Sequence, residues 1–94
     1  MRIKNSFNKY KDSISKVLSN ITDNQLKKTI EIIHKTSKKN GKVYIIGNGG
    51  SSSIASHVSV DFSKVARIPS VNFNNANLIT CFANDYGYEN WVTE

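Results

Sequence analysis

The residues that offer the clearest chemistry form a run of glycine and serine, Gly47-Asn48-Gly49-Gly50-Ser51-Ser52-Ser53. The run follows the apolar stretch 43–46 and precedes an amphipathic segment, an order that predicts strand, turn and helix. Glycine lets the backbone adopt positive φ and approach a ligand closely, and free N–H groups at a helix start attract an anion. The run therefore predicts a cradle for a phosphate group.

Two well-known phosphate loops do not fit this run. A dinucleotide-binding turn needs a third glycine at position 52 and an acidic residue about twenty positions later. Position 52 is Ser52, and residues 66–70 contain no acid. A nucleoside triphosphate loop needs Lys followed by Ser or Thr after its glycines, and Ser51 stands there instead. A cradle for a sugar or other small-molecule phosphate and a purely structural turn remain as interpretations.

A second pair of residues could act beside such a loop. His57 and Asp61 are four positions apart, which places them on one face of the helix that follows the loop, about one turn beyond it. The pair could chelate a metal ion or move a proton. The alternative is an exposed structural pair, which is also the interpretation for the isolated His34. The position after a phosphate-type loop favours the chemical role of His57 and Asp61.

The elements that position these residues follow from hydrophobic periodicity. Apolar residues at steps of three and four predict a first helix over residues 6–20. Thr22 and Gln25 have the spacing of a capping box and start a second helix, which Gly41 ends as the left-handed residue. Strands are expected at 43–46 and 71–73, a third helix over 52–66 with Ile54, Val58, Phe62 and Val65 buried, and a short helix over 77–83.

This order of elements predicts an α/β fold. A parallel sheet needs cover on both faces and more than two strands. The two leading helices also carry more apolar surface than two strands can cover. We therefore expect a helical appendage over residues 1–41, an α/β domain over residues 42–94, and association with further copies of the chain.

Composition narrows the partners and the compartment. The 94 residues carry a net charge of +6, and most of the Lys and Arg lie before residue 43. Because these cations are spread around the predicted helices without interleaved aromatic residues, solvated helix faces are favoured over a nucleic-acid footprint. No apolar run is long enough to span a membrane, and no apolar core of a secretory signal follows Met1. We expect a cytoplasmic protein without a membrane partner.

Three motifs in this order resemble a known family. The run Gly47–Ser51, His57 with Asp61, and Asn84-Asp85-Tyr86-Gly87-Tyr88-Glu89 together resemble the N-terminal half of the phosphoheptose (sedoheptulose 7-phosphate) isomerases, which have the sugar isomerase (SIS) fold. The resemblance implies a flavodoxin-like parallel sheet with helices on both faces. It also implies interconversion of sedoheptulose 7-phosphate and a heptopyranose 7-phosphate for bacterial surface heptose in lipopolysaccharide or capsule, a homotetramer, and zinc in the site.

The same resemblance implies roles for individual residues. His57 would be a zinc ligand, and Asp61 would ligate the metal and move the proton between C1 and C2 of the sugar. Asp61 stands where the family usually has Glu, and Asn75 stands where it often has an Asp that faces the substrate. The expected substrate contacts are Asn48, Gly49, Gly50, Ser51 and Asn75, with Ser51 on the phosphate or a hydroxyl.

Part of the family's site is missing from this sequence. Its second phosphate loop and its C-terminal helix with the catalytic histidine have no counterpart in the 94 residues. We therefore expect an isomerase-type chain that is inactive or nearly so. The alternative from another class is a non-catalytic sugar-phosphate-binding or subunit-interaction module. Charge alone would support a third interpretation, a nucleic-acid-binding protein.

Overall fold

The computed structural model describes all residues from Met1 to Glu94. The chain is mostly helical with one small parallel sheet, an arrangement that follows the predicted order. By internal contacts it divides into two compact units, Met1–His34 and Lys35–Glu94. The predicted division between residues 41 and 42 stays a prediction. The elements are α1 (Arg2–Ser19), α2 (Asp23–Lys38), β1 (Val43–Tyr44), α3 (Gly50–Lys64), β2 (Ser70–Val71), α4 (Ala76–Tyr86) and a short 3-10 helix (Tyr88–Asn90).

The start of α2 has the predicted capping box. The Thr22 N–H donates to Gln25 Oε1 at 2.9 Å, and the Gln25 N–H donates to Thr22 Oγ1 at 3.2 Å. These reciprocal bonds satisfy two N–H groups, one just before the helix and one in its first turn, that have no partner inside the helix. α1 also forms as expected, although it begins at Arg2 instead of residue 6. None of the helices has the length and hydropathy needed to cross a bilayer.

The end of α2 corrects the prediction for Gly41. The left-handed residue is Asn40, with φ of 58°, and Gly41 follows it. The Asn40 N–H donates to Ser37 O at 3.0 Å and the Gly41 N–H donates to Thr36 O at 2.8 Å, which is the Schellman pattern. Glycine is needed at 41 for a different reason, because a Cβ there would lie 2.7 Å from Thr36 Cγ2. Asn tolerates the left-handed region better than most residues, so it can end the helix one position earlier.

The sheet consists of β1 and β2, which run parallel with Val43 opposite Ser70 and Tyr44 opposite Val71. The Ile45 N–H donates to Val71 O at 3.1 Å, so the pairing reaches one residue past β1. Both strands are nevertheless shorter than the predicted ranges 43–46 and 71–73. The sheet therefore ends close to the start of the glycine run.

Side-chain amides replace the backbone ladder beyond Val71, and this explains the short strands. Asn72 Nδ2 donates to Ile45 O at 2.6 Å. The carboxamide of Asn74 bonds both backbone groups of Gly47, accepting from its N–H at 3.2 Å and donating to its C=O. Asparagine side chains thus continue the inter-strand hydrogen bonds where the regular ladder stops.

α3 contacts the sheet through small residues. Ala55 and Ser59 are buried, one turn apart on the same face of the helix. Ser59 Oγ accepts a hydrogen bond from Ser70 Oγ at 3.2 Å, which ties α3 to β2. Small side chains allow the helix to approach the strands closely.

The predicted buried stripe of α3 is wrong for two of its four members, Ile54 and Val65. The helix turns Ala55 and Ser59 toward the strands, and a sheet of two short strands is too narrow to cover the neighbouring apolar residues as well. Ile54 is 65% exposed and Val65 is 74% exposed, whereas Val58 and Phe62 are half-buried. The buried apolar residues of the chain are Ala55, Ile68 and Trp91.

Candidate functional site

The glycine run forms the predicted connection between β1 and α3. Gly49 is the N-cap of α3, with φ of 57° and ψ of −126°, and Gly50 is the first helical residue. The prediction of a strand, a loop with a glycine at positive φ, and a helix start is therefore confirmed. α3 begins at Gly50, two positions before the expected residue 52.

Each glycine of the loop serves a different purpose. A Cβ at Gly47 would overlap the backbone carbonyl of Ser51 and lie 2.9 Å from Ser51 Cβ, so the loop can close only without a side chain there. Gly49 supplies the positive φ that strains other residues. At Gly50 a Cβ would meet no atom within 4 Å. Glycine at this last position leaves open space in front of the helix start.

The loop also carries free hydrogen-bond donors. The Ser51 N–H donates to Asn48 O and the Ser52 N–H donates to Gly49 O, both at 3.0 Å. The N–H groups of Asn48, Gly49 and Gly50 make no hydrogen bond within the chain. Three unpaired N–H groups at the positive end of a helix dipole form an arrangement that suits an anion. The hydroxyl of Ser51 lies exposed beside them.

An asparagine clamp, Asn72 with Asn74, holds the loop from the β2 side. Besides its two bonds to Gly47, Asn74 Oδ1 accepts from Asn72 Nδ2 at 2.8 Å. Asn72 Oδ1 accepts in turn from Ser56 Oγ of α3 at 3.1 Å and from the Asn74 N–H at 3.1 Å. The clamp joins strand, loop and helix. The clamp was not predicted from the sequence, although the asparagines that follow Val71 were its visible signal.

Trp91 approaches the loop from the C-terminal side. Its side chain is 3% exposed, and its indole N–H donates to Asn48 Oδ1 at 3.3 Å. This contact was not predicted, because 43 residues separate the two partners along the chain. The structure therefore brings together the loop, the asparagine clamp and Trp91.

Asn75 is the N-cap of α4, which begins at Ala76. Its side chain accepts from the Asn77 N–H at 2.9 Å. Asn75 is exposed and directly follows Asn74, so it stands one residue from a contact of the loop. The side-chain oxygen of Asn75 accepts this capping hydrogen bond, which leaves the side-chain NH2 group for another partner.

His57 and Asp61 form a pair on the exposed side of α3. His57 Nε2 lies 3.5 Å from Asp61 Oδ2, and the two side chains are 78% and 55% exposed. His57 is two positions after the buried Ala55, a rotation of about 200° around the helix, so the pair faces away from the sheet. Counted from Gly50, the first residue of α3, His57 lies about 10 Å along the helix axis. The two side chains contact each other, and neither makes a hydrogen bond to the loop.

The pair fits only part of a metal site. Nowhere does the chain bring three His, Cys, Asp or Glu side chains together. Zinc sites use three or four protein ligands, and an imidazole nitrogen with a carboxylate oxygen can provide two. The other ligands would have to come from outside these 94 residues.

Comparison with known proteins supplies the family. The SIS domain pattern matches residues 8–90. The phosphoheptose isomerase of Helicobacter pylori is 33% identical over 93 residues, which cover 93% of this chain and 48% of that protein. That of Cytophaga hutchinsonii is 33% identical over 88 residues, covering 83% of this chain and 46% of the relative. That of Thermodesulfovibrio yellowstonii is 38% identical over 69 residues, covering 67% and 34%.

These matches extend over most of this chain but not over most of the relatives. The chain spans about half the length of the first two curated relatives, at 48% and 46%. No solved structure matches it. Because the family pattern covers residues 8–90, from within α1 to the end of the 3-10 helix, the chain belongs to the SIS domain family.

Proposed function

We propose that the chain provides the substrate loop of a sugar-phosphate aldose–ketose isomerase that acts on sedoheptulose 7-phosphate, or a similar sugar phosphate, in heptose biosynthesis. The observation that carries the proposal is the Gly47–Ser51 loop, which presents three free N–H groups at the start of α3. The relatives named phosphoheptose isomerase support the choice of substrate.

The loop would hold the substrate through its acceptor oxygens. A phosphate or an anionic sugar oxygen in front of Gly50 would accept from the N–H groups of residues 48–50, which the helix dipole of α3 reinforces. The hydroxyl of Ser51 and the NH2 group of Asn48 would add two more donors. Asn75 would contribute its free NH2 group from the neighbouring helix start.

Asp61 would move the proton between C1 and C2. An ionised carboxylate can take the C2 proton of an aldose and return it to C1 while the hydroxyl proton on O2 passes to O1, which converts the aldose into a ketose through an enediol. His57 at 3.5 Å orients this carboxylate. Because the pair is largely exposed, other protein has to cover it before the reaction can be shielded from water.

The proposal extends to zinc. His57 and Asp61 would supply two ligands, and such an ion would polarise the sugar carbonyl as a Lewis acid. Since two ligands are too few for zinc, we propose that the 94-residue chain binds the sugar phosphate but does not turn it over on its own.

A site that is incomplete within the chain fits a protein that works as part of a larger assembly. We propose that β1 and β2 belong to a wider flavodoxin-like parallel sheet with helices on both faces, and that the protein is a cytoplasmic homo-oligomer. Neither α1 nor α2 has a buried residue. The apolar face of α1 is largely exposed at Phe7, Tyr10, Val17 and Leu18. Burying such a face against another copy is worth about 25 cal/mol per Å² of apolar surface.

Titration of the chain with sedoheptulose 7-phosphate and with unphosphorylated sedoheptulose tests the proposal. We expect the phosphorylated sugar to bind more tightly, and Ser51→Ala to weaken its binding about tenfold through the loss of a hydrogen bond to a charged group. Asp61→Asn is the matched control and should leave binding unchanged. In a full-length form, Asp61→Asn should instead abolish proton exchange at C2. Equal binding of both sugars, or full activity of Asp61→Asn, would refute the corresponding assignment.

A further inference from the structure

Trp91 is the single tryptophan of the chain, and it lies at the candidate site. It follows the short 3-10 helix and is one of the most buried side chains, at 3% exposure. Its only polar atom, Nε1, points to the side chain of Asn48 at 3.3 Å. A buried indole N–H requires a hydrogen-bond partner, and Asn48 Oδ1 is the one that this structure provides.

This contact decides which end of the Asn48 carboxamide faces outward. An asparagine side chain can be turned by 180° with little change in shape, which exchanges its acceptor oxygen with its NH2 donor. The indole N–H can only donate, so it can bond to the carboxamide oxygen but not to the NH2 group. Asn48 Nδ2 is then directed away from Trp91, and it makes no hydrogen bond within the chain.

The consequence is a loop surface composed mostly of hydrogen-bond donors. The backbone N–H groups of Asn48, Gly49 and Gly50 are donors, and the outward NH2 group adds two N–H donors of the same kind. A ligand that places an acceptor oxygen here, from a phosphate, a carbonyl or an enediolate, would be satisfied at every contact. A ligand that places an ammonium group here would meet donors at each of these groups and could find an acceptor only at the hydroxyl of Ser51.

We infer that Trp91 is a positioning residue that fixes the Asn48 carboxamide with its NH2 group toward the ligand, so that the loop selects acceptor oxygens. The inference rests on the proposed function, because it assigns Asn48 to the ligand side of the same loop. It adds a specificity determinant from a part of the chain that makes no direct contact with the ligand.

The first experiment observes the contact without any ligand. Because the chain has one tryptophan, a nitrogen-15 NMR spectrum contains one indole N–H resonance. We expect this resonance to move upfield in Asn48→Ala, which removes the acceptor, and to stay downfield in Asn48→Asp, which keeps an oxygen there. An indole resonance at the same position in wild type and Asn48→Ala would overturn the inference.

The second experiment measures binding of inorganic phosphate and of sedoheptulose 7-phosphate. Trp91→Phe keeps an aromatic ring but removes the N–H, and we expect it to weaken binding about three- to tenfold. Tyr88→Phe, on the 3-10 helix that directly precedes Trp91, is the matched control and should bind like wild type. Asn48→Asp keeps the bond to Trp91 but replaces NH2 by a charged oxygen, so binding should fall by more than tenfold.

A double variant separates positioning from general packing. If Trp91 acts through Asn48, the variant that carries both Trp91→Phe and Asn48→Ala should bind no more weakly than Asn48→Ala alone. Additive losses, or wild-type binding by Trp91→Phe, would contradict the inference while leaving the proposed function intact. Absence of binding in wild type would instead refute the proposed function, and the indole resonance would still decide the orientation of Asn48.

Discussion

Substitution of the loop glycines by alanine should give three different results, although the chemical change is the same. At Gly47 the new Cβ would overlap the carbonyl of Ser51 and lie 2.9 Å from its Cβ. Backbone atoms cannot move aside as a flexible side chain can, so the loop must shift and the bonds of Asn74 to Gly47 must break. We expect Gly47→Ala to lower the free energy of unfolding by about 3 kcal/mol, at the upper end of overpacking costs.

Alanine at the other two glycines should change the free energy of unfolding by smaller amounts. At Gly49 the obstacle is the φ of 57° alone, since no atom lies within 4 Å of the added Cβ. A φ of 57° with a ψ of −126° lies in a sparsely populated region that costs a residue other than glycine about 1–2 kcal/mol, so Gly49→Ala should lose that amount. Gly50 is helical and open. Gly50→Ala should therefore be neutral or raise the free energy of unfolding by about 0.5 kcal/mol, because alanine favours the helix.

Urea unfolding followed by the fluorescence of Trp91 measures this series. With a slope of about 1 kcal/mol per M urea, the midpoint should fall by about 3 M for Gly47→Ala and 1–2 M for Gly49→Ala. Phosphate binding supplies a second readout: Gly50→Ala should bind more weakly than wild type despite its intact fold, because its methyl group occupies the space in front of the helix. A Gly47→Ala protein as stable as Gly50→Ala would refute this account of the loop.

Further predictions concern the clamp, the helix ends, the exposed pair and association. Asn74→Ala should lower the free energy of unfolding by about 2 kcal/mol, because its hydrogen bonds are lost. The control is Asn77→Ala at an exposed position, which keeps the backbone N–H bond of the α4 cap and should cost far less. Thermal unfolding measures both. Thr22→Ala should cost about 1 kcal/mol by removing the side-chain cap of α2, measured by circular dichroism in urea. Asp61→Asn should change the free energy of unfolding by no more than about 0.5 kcal/mol, since the pair with His57 is exposed; a larger loss would mean a structural role. Sedimentation should show self-association of the chain that weakens when Phe7 is replaced by Ser, and a monodisperse wild-type monomer would contradict it.

Local patterns of the sequence were sufficient for much of this fold. The capping box at Thr22 depends on two residues three positions apart, and the strand–glycine–helix order depends on a single short segment. Interactions of this kind form within one turn or one loop, so residue type and spacing determine them. The resemblance to the SIS family was likewise carried by short motifs, and the family comparison confirmed it.

Contacts between distant segments were decided only by the tertiary structure. Spacing alone placed His57 and Asp61 on one helix face, but the side of α3 that faces solvent depends on which residues pack on the sheet. The buried side turned out to carry Ala55 and Ser59 because small residues allow close approach, which a count of large apolar residues cannot foresee. The partnership of Trp91 with Asn48 joins residues 43 positions apart. Such contacts arise from the packing of several elements at once, so a local sequence pattern cannot predict them.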